Sequence, residues 1–337
     1  MPTDPPTHAN EPGPALGIRE PIAEPEGRAL ETDPVVDYEV GLESLSQWQI
    51  AWRKFKRHHL AMVGMVILGA LVLGAIFIPI FEPFDYQTVP NPDVIVPIGR
   101  PPSVFWDPRS TAALFGETGG LQRDVWQLVW NGARTSLFVG FFSMIIGVVL
   151  GTIVGTIAGF FGGIADNVLM RVVDVMLSLP LLFVILVASR FFGNGSAILI
   201  VLIFGFFSWM GVSRLVRSLF LSLREQDFVE AARAVGVSER RIAFRHILPN
   251  AVSPIVVVAS LIVAGNIIAE AFVSFLGFGI SSLTPTWGNV LTNALTFIPQ
   301  GNWWWPFFPG FFIVLTVLAV NFIGDGLRDA LDPRSRS

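Results

Sequence analysis

Charge is scarce in this sequence. Only 14% of the 337 residues are Asp, Glu, Lys or Arg, whereas 52% are hydrophobic and the mean hydropathy is +0.62. An ordinary soluble domain has about 25% charged residues, and the surface of a soluble globule of this length would need more charge than this chain holds. The composition excludes a soluble enzyme, a nucleic-acid-binding domain and a disordered chain. It predicts an integral membrane protein.

Cysteine is absent, and histidine and lysine are rare. The lack of cysteine excludes disulfides, thiolate catalysis and cysteine-ligated zinc or iron–sulfur sites. The four histidines, at positions 8, 58, 59 and 246, leave little for a histidine-rich metal site. Neither lysine, Lys54 or Lys56, follows the glycines of a phosphate-binding loop. We therefore expect a chain that is not an enzyme, with no catalytic residue and no cofactor or metal of its own.

Acidic residues are concentrated at one end of the chain. Residues 1–47 hold ten acidic and two basic residues, together with eight of the 24 prolines, and show no periodic apolar pattern. The rest of the chain holds 16 acidic and 20 basic residues and so has a net charge of +4. This composition predicts a disordered, acidic, proline-rich tail that extends into solvent.

Six windows with little or no charge are long enough to cross a membrane, which takes about 20 apolar residues. They cover, in order, Leu60–Phe81, 135–165, 172–189, 191–213, a stretch from Ala251 that includes Glu270, and 306–324. The prediction is an all-α protein with six transmembrane helices. It has a basic juxtamembrane segment with the first span (48–81), a loop (82–133), a core of five spans (134–326) and a C-terminal segment (327–337).

The positions of arginine and lysine predict the orientation, because both are enriched in short cytoplasmic loops. Four basic residues lie directly before the first span, and the connection 214–245 holds seven arginines. The connection 281–305 has no charge. Both termini and the 214–245 connection are therefore expected in the cytoplasm, and the basic cluster at Arg53–Arg57 is expected to meet membrane lipid.

The loop 82–133 is predicted to end in a helix that lies on the membrane surface. Trp126, Val129 and Trp130 recur at i, i+3 and i+4 and form one aromatic face suited to the headgroup region. In the next span, Gly151 and Gly155 have the spacing that lets membrane helices approach closely. We expect these glycines to serve packing.

The 214–245 connection carries two short helical patterns. In the first, Asp227 is a candidate cap, Gly236 occupies the left-handed position after the last turn, and an apolar stripe falls on Phe228, Ala231, Ala232 and Val235. In the second, Ser238 is a candidate cap, Pro249 ends the helix, and a basic side is formed by Arg240, Arg241 and Arg245.

This pattern has two interpretations. A solvated loop could be held to lipid headgroups by its arginines, or a compact protrusion could dock into a groove on a cytoplasmic partner. A bare arginine-rich loop needs neither the apolar stripe nor the glycine turn, so the pattern favours docking.

The same residues resemble a known family. The run Glu230-Ala-Ala-Arg-Ala-Val-Gly236, continued by His246-Ile-Leu-Pro-Asn250, resembles the EAA signature of ABC-importer permeases. The general pattern has Ile at the position of His246. Members of the peptide branch often have His there, as this chain does. The resemblance implies that this loop contacts the ATP-hydrolysing subunit through Glu230, Ala231, Ala232, Gly236, His246, Leu248 and Pro249.

Further motifs narrow the branch to the second permease subunit of dipeptide, oligopeptide and nickel importers. They include Asn131-Gly-Ala-Arg-Thr-Ser-Leu137, Ser274-Phe-Leu-Gly-Phe-Gly279 and Thr284-Pro-Thr-Trp-Gly288. The resemblance covers residues 48–333 and implies the type I importer fold, in a bacterial or archaeal plasma membrane. It also implies a sister permease, two ATPase subunits that bind ATP and magnesium, and an extracytoplasmic binding protein.

Glu270 is the candidate pathway residue, because an ionisable group within a span usually faces a protein interior or an aqueous cavity. It could instead lie near the outer interface or pack against the sister subunit. The substrate also stays open, since peptide, nickel and some oligosaccharide systems share these motifs. Two other classes of function are alternatives. A secondary transporter would need broken helices in matched halves, and a scaffold subunit would not need the 214–245 connection.

Overall fold

The computed structural model describes residues 47–81, 115–118, 123–192 and 195–331. The predicted tail, most of the loop 82–133 and the last six residues lie outside this part of the chain. Within it, the only extended pairing is a single antiparallel bridge between Glu117 and Asp124. Everything else of regular structure is helical, which confirms the all-α prediction.

The described part of the chain contains ten helices of eight or more residues. They are α1 (Gln47–Arg57), α2 (His59–Phe81), α3 (Val125–Phe161), α4 (Gly163–Leu177), α5 (Leu181–Phe192), α6 (Ala197–Leu223), α7 (Asp227–Ala234), α8 (Leu248–Phe275), α9 (Trp287–Leu295) and α10 (Trp304–Leu331). Of these, α2, α3, α6, α8 and α10 are long and apolar enough to cross a membrane.

The predicted third span, 172–189, is a broken helix. It covers the end of α4 and most of α5, whose axes meet at 73°. The break lies at Ser178–Pro180, because a proline has no N–H to donate and disfavours the helical conformation of the residue before it. The chain therefore has six spans when this bent pair counts as one, in line with the predicted number.

The helix predicted at the end of the loop 82–133 is not a separate element. It forms the first turns of α3, a single helix of 37 residues, and Val129 and Trp130 are buried. The helix begins here because the Asp124 carboxylate caps it, accepting the Trp126 N–H at 2.8 Å. The aromatic face contacts α10, where Trp130 lies 5.2 Å from Phe312 between ring centroids. The periodicity of the aromatic residues is compatible with contact to lipid headgroups or to a neighbouring helix. In the structure the contact is with α10.

Glycines let α3 and α6 pack closely along their length. A Cβ atom on Gly151 would lie 2.5 Å from the Val212 Cβ, and one on Gly155 would lie 2.5 Å from the Ser213 carbonyl oxygen. Such distances are too short for a side chain, so these positions need glycine for the backbones to meet. The predicted packing role of Gly151 and Gly155 is confirmed.

The bundle has two ends, which we name after the short helix each carries. At the α7 end, the start of α2 meets the end of α10, where His58 Nε2 lies 3.4 Å from the Asp329 carboxylate. At the α9 end, the start of α3 meets α9, where the Trp287 indole donates to the Val129 carbonyl at 3.0 Å.

Candidate coupling surface

Helix α7 lies between α6 and α8 and ends in a glycine turn. Gly236 has φ +80°, as its position in the sequence predicts. Its N–H donates to the Arg233 carbonyl at 2.9 Å, and the Val237 N–H donates to the Ala232 carbonyl at 3.0 Å. This pair of bonds is the Schellman motif, which fixes the direction in which the chain leaves the helix.

The start and the inward face of α7 differ from the prediction. Gln226, and not Asp227, occupies the cap position, and its side chain makes no capping hydrogen bond. Val229 and Ala232 face the protein, where they pack with Phe220 of α6. Of the four residues in the predicted stripe, Ala232 is buried, whereas Val229, outside that stripe, is buried in place of Phe228.

The rest of the apolar stripe is exposed. Phe228 is 40% exposed and Val235 is 79% exposed, with Ala231 exposed between them. Glu230 lies beside them, also exposed. This exposed face of α7 (Phe228, Ala231, Val235), anchored from behind by Val229, is the surface that the proposed partner would contact.

The second helix of the loop does not stop at Pro249. A turn, Glu239–Arg241, continues through a π-helix, Ile242–Ile247, directly into α8. The Leu248 N–H donates to the Ala243 carbonyl, five residues back. Pro249 is thereby placed in the first turn of α8, where a proline is tolerated because its missing N–H is not needed there. Ser238 is the cap residue as predicted, but its side chain makes no capping bond.

The π turn also explains why two buried apolar residues escape prediction from the sequence. Ile242 and Ile247, five residues apart, are both buried against α6 and α8. Their spacing suits the π turn, whereas an α-helical period would pair Ile242 with His246. The unusual i, i+5 pair next to a proline was the available signal.

The arginines form the basic side of this segment. Arg240, Arg241 and Arg245, with Ser238 and Phe244, line an open depression of about 490 Å³. Arg233 bridges the glycine turn to Glu239, with 3.1 Å between the guanidinium and the carboxylate. The segment that follows α7 is therefore rich in positive charge.

The residues implied by the EAA resemblance fall into two groups. Glu230, Ala231 and Gly236 are exposed on α7 or at its end, and Pro249 is exposed at the start of α8. The others pack inward: Ala232 is buried, and His246 and Leu248 are half-buried. The first group can touch a partner, whereas the second holds the loop in shape.

Two ion pairs tie the broken span to α6. Arg217 forms a two-pronged pair with Asp166, one bond measuring 2.6 Å, and Arg214 bonds to Asp174 at 2.5 Å. The first pair is partly shielded from solvent, and the second is about half exposed. Helix α4 is therefore fastened to the helix that leads into α7.

Glu270, the candidate pathway residue, lies in α8 and is 1% exposed. It is enclosed by its own chain, with hydroxyl donors from Ser136 and Ser274. Its role in the pathway stays a prediction, and these contacts do not place it at an open surface. Among the described residues, no group of three or more His, Asp or Glu side chains is arranged to hold a metal ion.

Comparison with known proteins agrees with the resemblance drawn from the motifs. Residues 147–337 match the family described as binding-protein-dependent transport system inner membrane component. Residues 46–98 match the N-terminal TM domain of oligopeptide transport permease C.

Relatives of known name cover most of the chain. It is 38% identical over 293 residues to the dipeptide transport system permease protein DppC of Bacillus subtilis (strain 168), covering 87% of this chain and 88% of that protein. It is 38% identical over 295 residues to the oligopeptide transport system permease protein OppC of Escherichia coli (strain K12), covering 88% and 94%. The chain therefore belongs to the family of inner membrane components of binding-protein-dependent transport systems.

Proposed function

We propose that this chain is the transmembrane permease subunit of an ATP-driven importer of dipeptides or oligopeptides. It forms half of the translocation pathway beside a sister permease. Two cytoplasmic ATPase subunits hold the ATP and magnesium, and an extracytoplasmic binding protein delivers the substrate. The peptide substrate is supported by the names of the relatives, which are dipeptide and oligopeptide permeases. Nickel and oligosaccharides are the alternative substrates.

One observation carries the coupling role: α7 is rigidly held but has an exposed apolar face. The Schellman turn at Gly236 and the buried Val229 fix its position. Phe228 and Val235 are exposed on a short helix that is followed by an arginine-rich segment. Exposed apolar groups on a segment that is otherwise polar are typical of a protein interface. Energy from ATP hydrolysis in the partner would reach the spans through α6 and α8, which continue directly from this loop.

The orientation follows from this role. The α7 end lies in the cytoplasm with the ATPases, and the α9 end faces the side from which substrate arrives. The basic residues of α1 and of the loop support this placement, since arginine and lysine are enriched in cytoplasmic loops. With six spans, both termini lie in the cytoplasm.

The test is co-purification of the ATPase subunits with a variant of the exposed face. Val235→Asp adds a charge at a side chain that is 79% exposed, so the chain itself should still fold. We expect the amount of ATPase retained to fall about tenfold or more, because an unpaired charge would be buried in the interface. Leu283→Asp, at a comparably exposed leucine near α9, is the matched control and should retain the ATPase. Equal retention by both variants would contradict the docking role.

Transport separates the substrate alternatives. Vesicles with the complete complex and its binding protein should take up a labelled dipeptide or oligopeptide only when ATP is present inside. Uptake of nickel or an oligosaccharide in place of peptide would overturn the substrate class and leave the coupling role standing.

A further inference from the structure

Glu270 is an ionisable group in an otherwise uncharged part of the chain. No Asp, Glu, Lys or Arg lies between Glu270 and Asp325 in the sequence. Its side chain is enclosed where α8, α3 and the start of α9 meet. Burial of a carboxyl group costs free energy unless the group is hydrogen-bonded. A buried glutamate therefore indicates a role other than packing.

Two serine hydroxyls satisfy the carboxyl group. Ser136 of α3 donates to one oxygen at 2.8 Å, and Ser274, one turn along α8, donates to the other at 2.7 Å. Because each hydroxyl spends its only hydrogen on Glu270, its lone pairs are turned toward other donors. The carboxyl group therefore fixes the rotamers of both serines.

Both serines use those lone pairs to hold the segment that ends in α9. The Trp287 N–H, at the first residue of α9, donates to the Ser136 hydroxyl at 3.3 Å. The Ile280 N–H, in the preceding loop, donates to the Ser274 hydroxyl at 3.3 Å. One carboxyl group thus connects two membrane helices, through two hydroxyls, to two backbone amides of the segment 276–287.

Close backbone approaches surround this network. Gly132 of α3 faces the backbone between Thr286 and Trp287, so that an added Cβ would lie 3.2 Å from the Trp287 nitrogen. Gly288 faces Ala271 of α8, where a Cβ would lie 2.7 Å from the Ala271 Cα. Because the elements touch this tightly, small shifts of the serines would displace α9.

We propose that Glu270 is a positioning residue that holds α9 and the loop before it against α3 and α8. Its carboxyl group fixes the rotamers of the two serines, and the serines fix the position of the start of α9. The α9 end of the chain thereby keeps a fixed surface. The link to transport rests on the proposed function, which assigns this end to the incoming substrate. The positioning role itself is independent of the proposed function.

The absence of native cysteine allows a direct test. Val290, inside α9, is 2% exposed, and Leu295, at its end, is 49% exposed. Each is replaced by cysteine in turn, and the rate of maleimide labelling is measured on the intact complex in detergent. With Glu270 in place, Val290→Cys should be protected and Leu295→Cys should react quickly.

Substitution of Glu270 should open α9 locally. In Glu270→Ala, we expect labelling of Val290→Cys to rise about tenfold or more, because buried hydroxyls lose their partner. Glu270→Gln, which keeps the shape and can still bond to both serines, should restore protection. A matched buried-polar control is Thr316→Val, since the Thr316 hydroxyl bonds only within its own helix. It should leave the rate unchanged.

A second reporter separates positioning from loss of folding. Val229→Cys, buried at the α7 end, should stay protected in Glu270→Ala, and the ATPase subunits should still co-purify. Unchanged labelling at Val290→Cys would overturn the proposal. Equal exposure at Val229→Cys would also overturn it, because Glu270 would then support the whole fold. Neither result bears on the docking of the ATPase, which the Val235→Asp variant tests by itself.

Discussion

At the scale of single residues, Gly236 is the position where local backbone chemistry matters most for the proposed coupling. A Cβ atom there would meet nothing within 4 Å, so space does not require glycine. The requirement comes from φ +80°, a region that costs an L-residue roughly 1–2 kcal/mol and a β-branched residue more.

Gly236→Val should therefore misplace the segment after α7 without blocking membrane insertion. We expect ATP-dependent uptake to fall severalfold while the amount of protein in the membrane is unchanged. Asn tolerates the left-handed region better than other side chains, so Gly236→Asn is the matched control and should retain most uptake. Normal uptake by Gly236→Val would show that the turn is not needed for coupling.

A residue's role can be predicted from the sequence when it depends on neighbouring residues in the chain, and not when it depends on distant ones. The left-handed position of Gly236 was predictable, because a glycine directly after a short apolar stripe commonly ends a helix in that conformation. The cap was predicted at the wrong residue. The helix begins at Asp227 itself, so Gln226 occupies the cap position. The surroundings of Glu270 were out of reach, because Ser136 lies 134 residues away in the sequence.

At the scale of elements, the two ion pairs between α4 and α6 should differ in strength. Arg217 forms two bonds with Asp166, and these side chains are 34% and 13% exposed, whereas Arg214 and Asp174 are about half exposed. Exposed pairs contribute about 0.2–1 kcal/mol, and hydrogen bonds between charged groups with little water contribute about 1.5–3 kcal/mol.

Double-mutant cycles on the free energy of unfolding in detergent measure this difference. The cycle of Asp166→Ala and Arg217→Ala should give the larger coupling energy, on the order of 1.5–3 kcal/mol. The cycle of Asp174→Ala and Arg214→Ala should stay below about 1 kcal/mol and serves as the matched comparison. Equal values would mean that both pairs are equally screened by water and that α4 is not selectively fastened near Asp166.

The elements show where hydrophobic pattern stops being informative. Long uncharged windows predicted the helices α2, α3, α6, α8 and α10, because crossing a membrane demands length and apolarity. The aromatic face of Trp126 and Trp130 did not reveal whether lipid or α10 covers it. Likewise, the π turn at Ile242–Ile247 depends on how neighbouring helices fit, which periodicity along one segment does not report. The break at Pro180 follows from the proline itself, but its angle of 73° does not.

At the scale of the whole molecule, the acidic N-terminal segment is predicted to be unnecessary for assembly. Its net charge contrasts with the basic residues of α1, which anionic headgroups attract by about 1 kcal/mol each. A chain that starts near Leu45 keeps all ten helices, including α1. We expect it to insert with the same topology, to bind its partners and to transport at the rate of the full chain. Intact insertion with lost assembly would make the segment a docking element.

The central claim is that the exposed face of α7 contacts an ATP-hydrolysing subunit. A photo-crosslinking amino acid at Val235, with the same group at Leu283 as the matched control, tests that contact in the assembled complex in its membrane. The account predicts a covalent adduct between this chain and the ATPase subunit from position 235 and none from position 283. An adduct with the ATPase from position 283, or only lipid adducts from position 235, would contradict it.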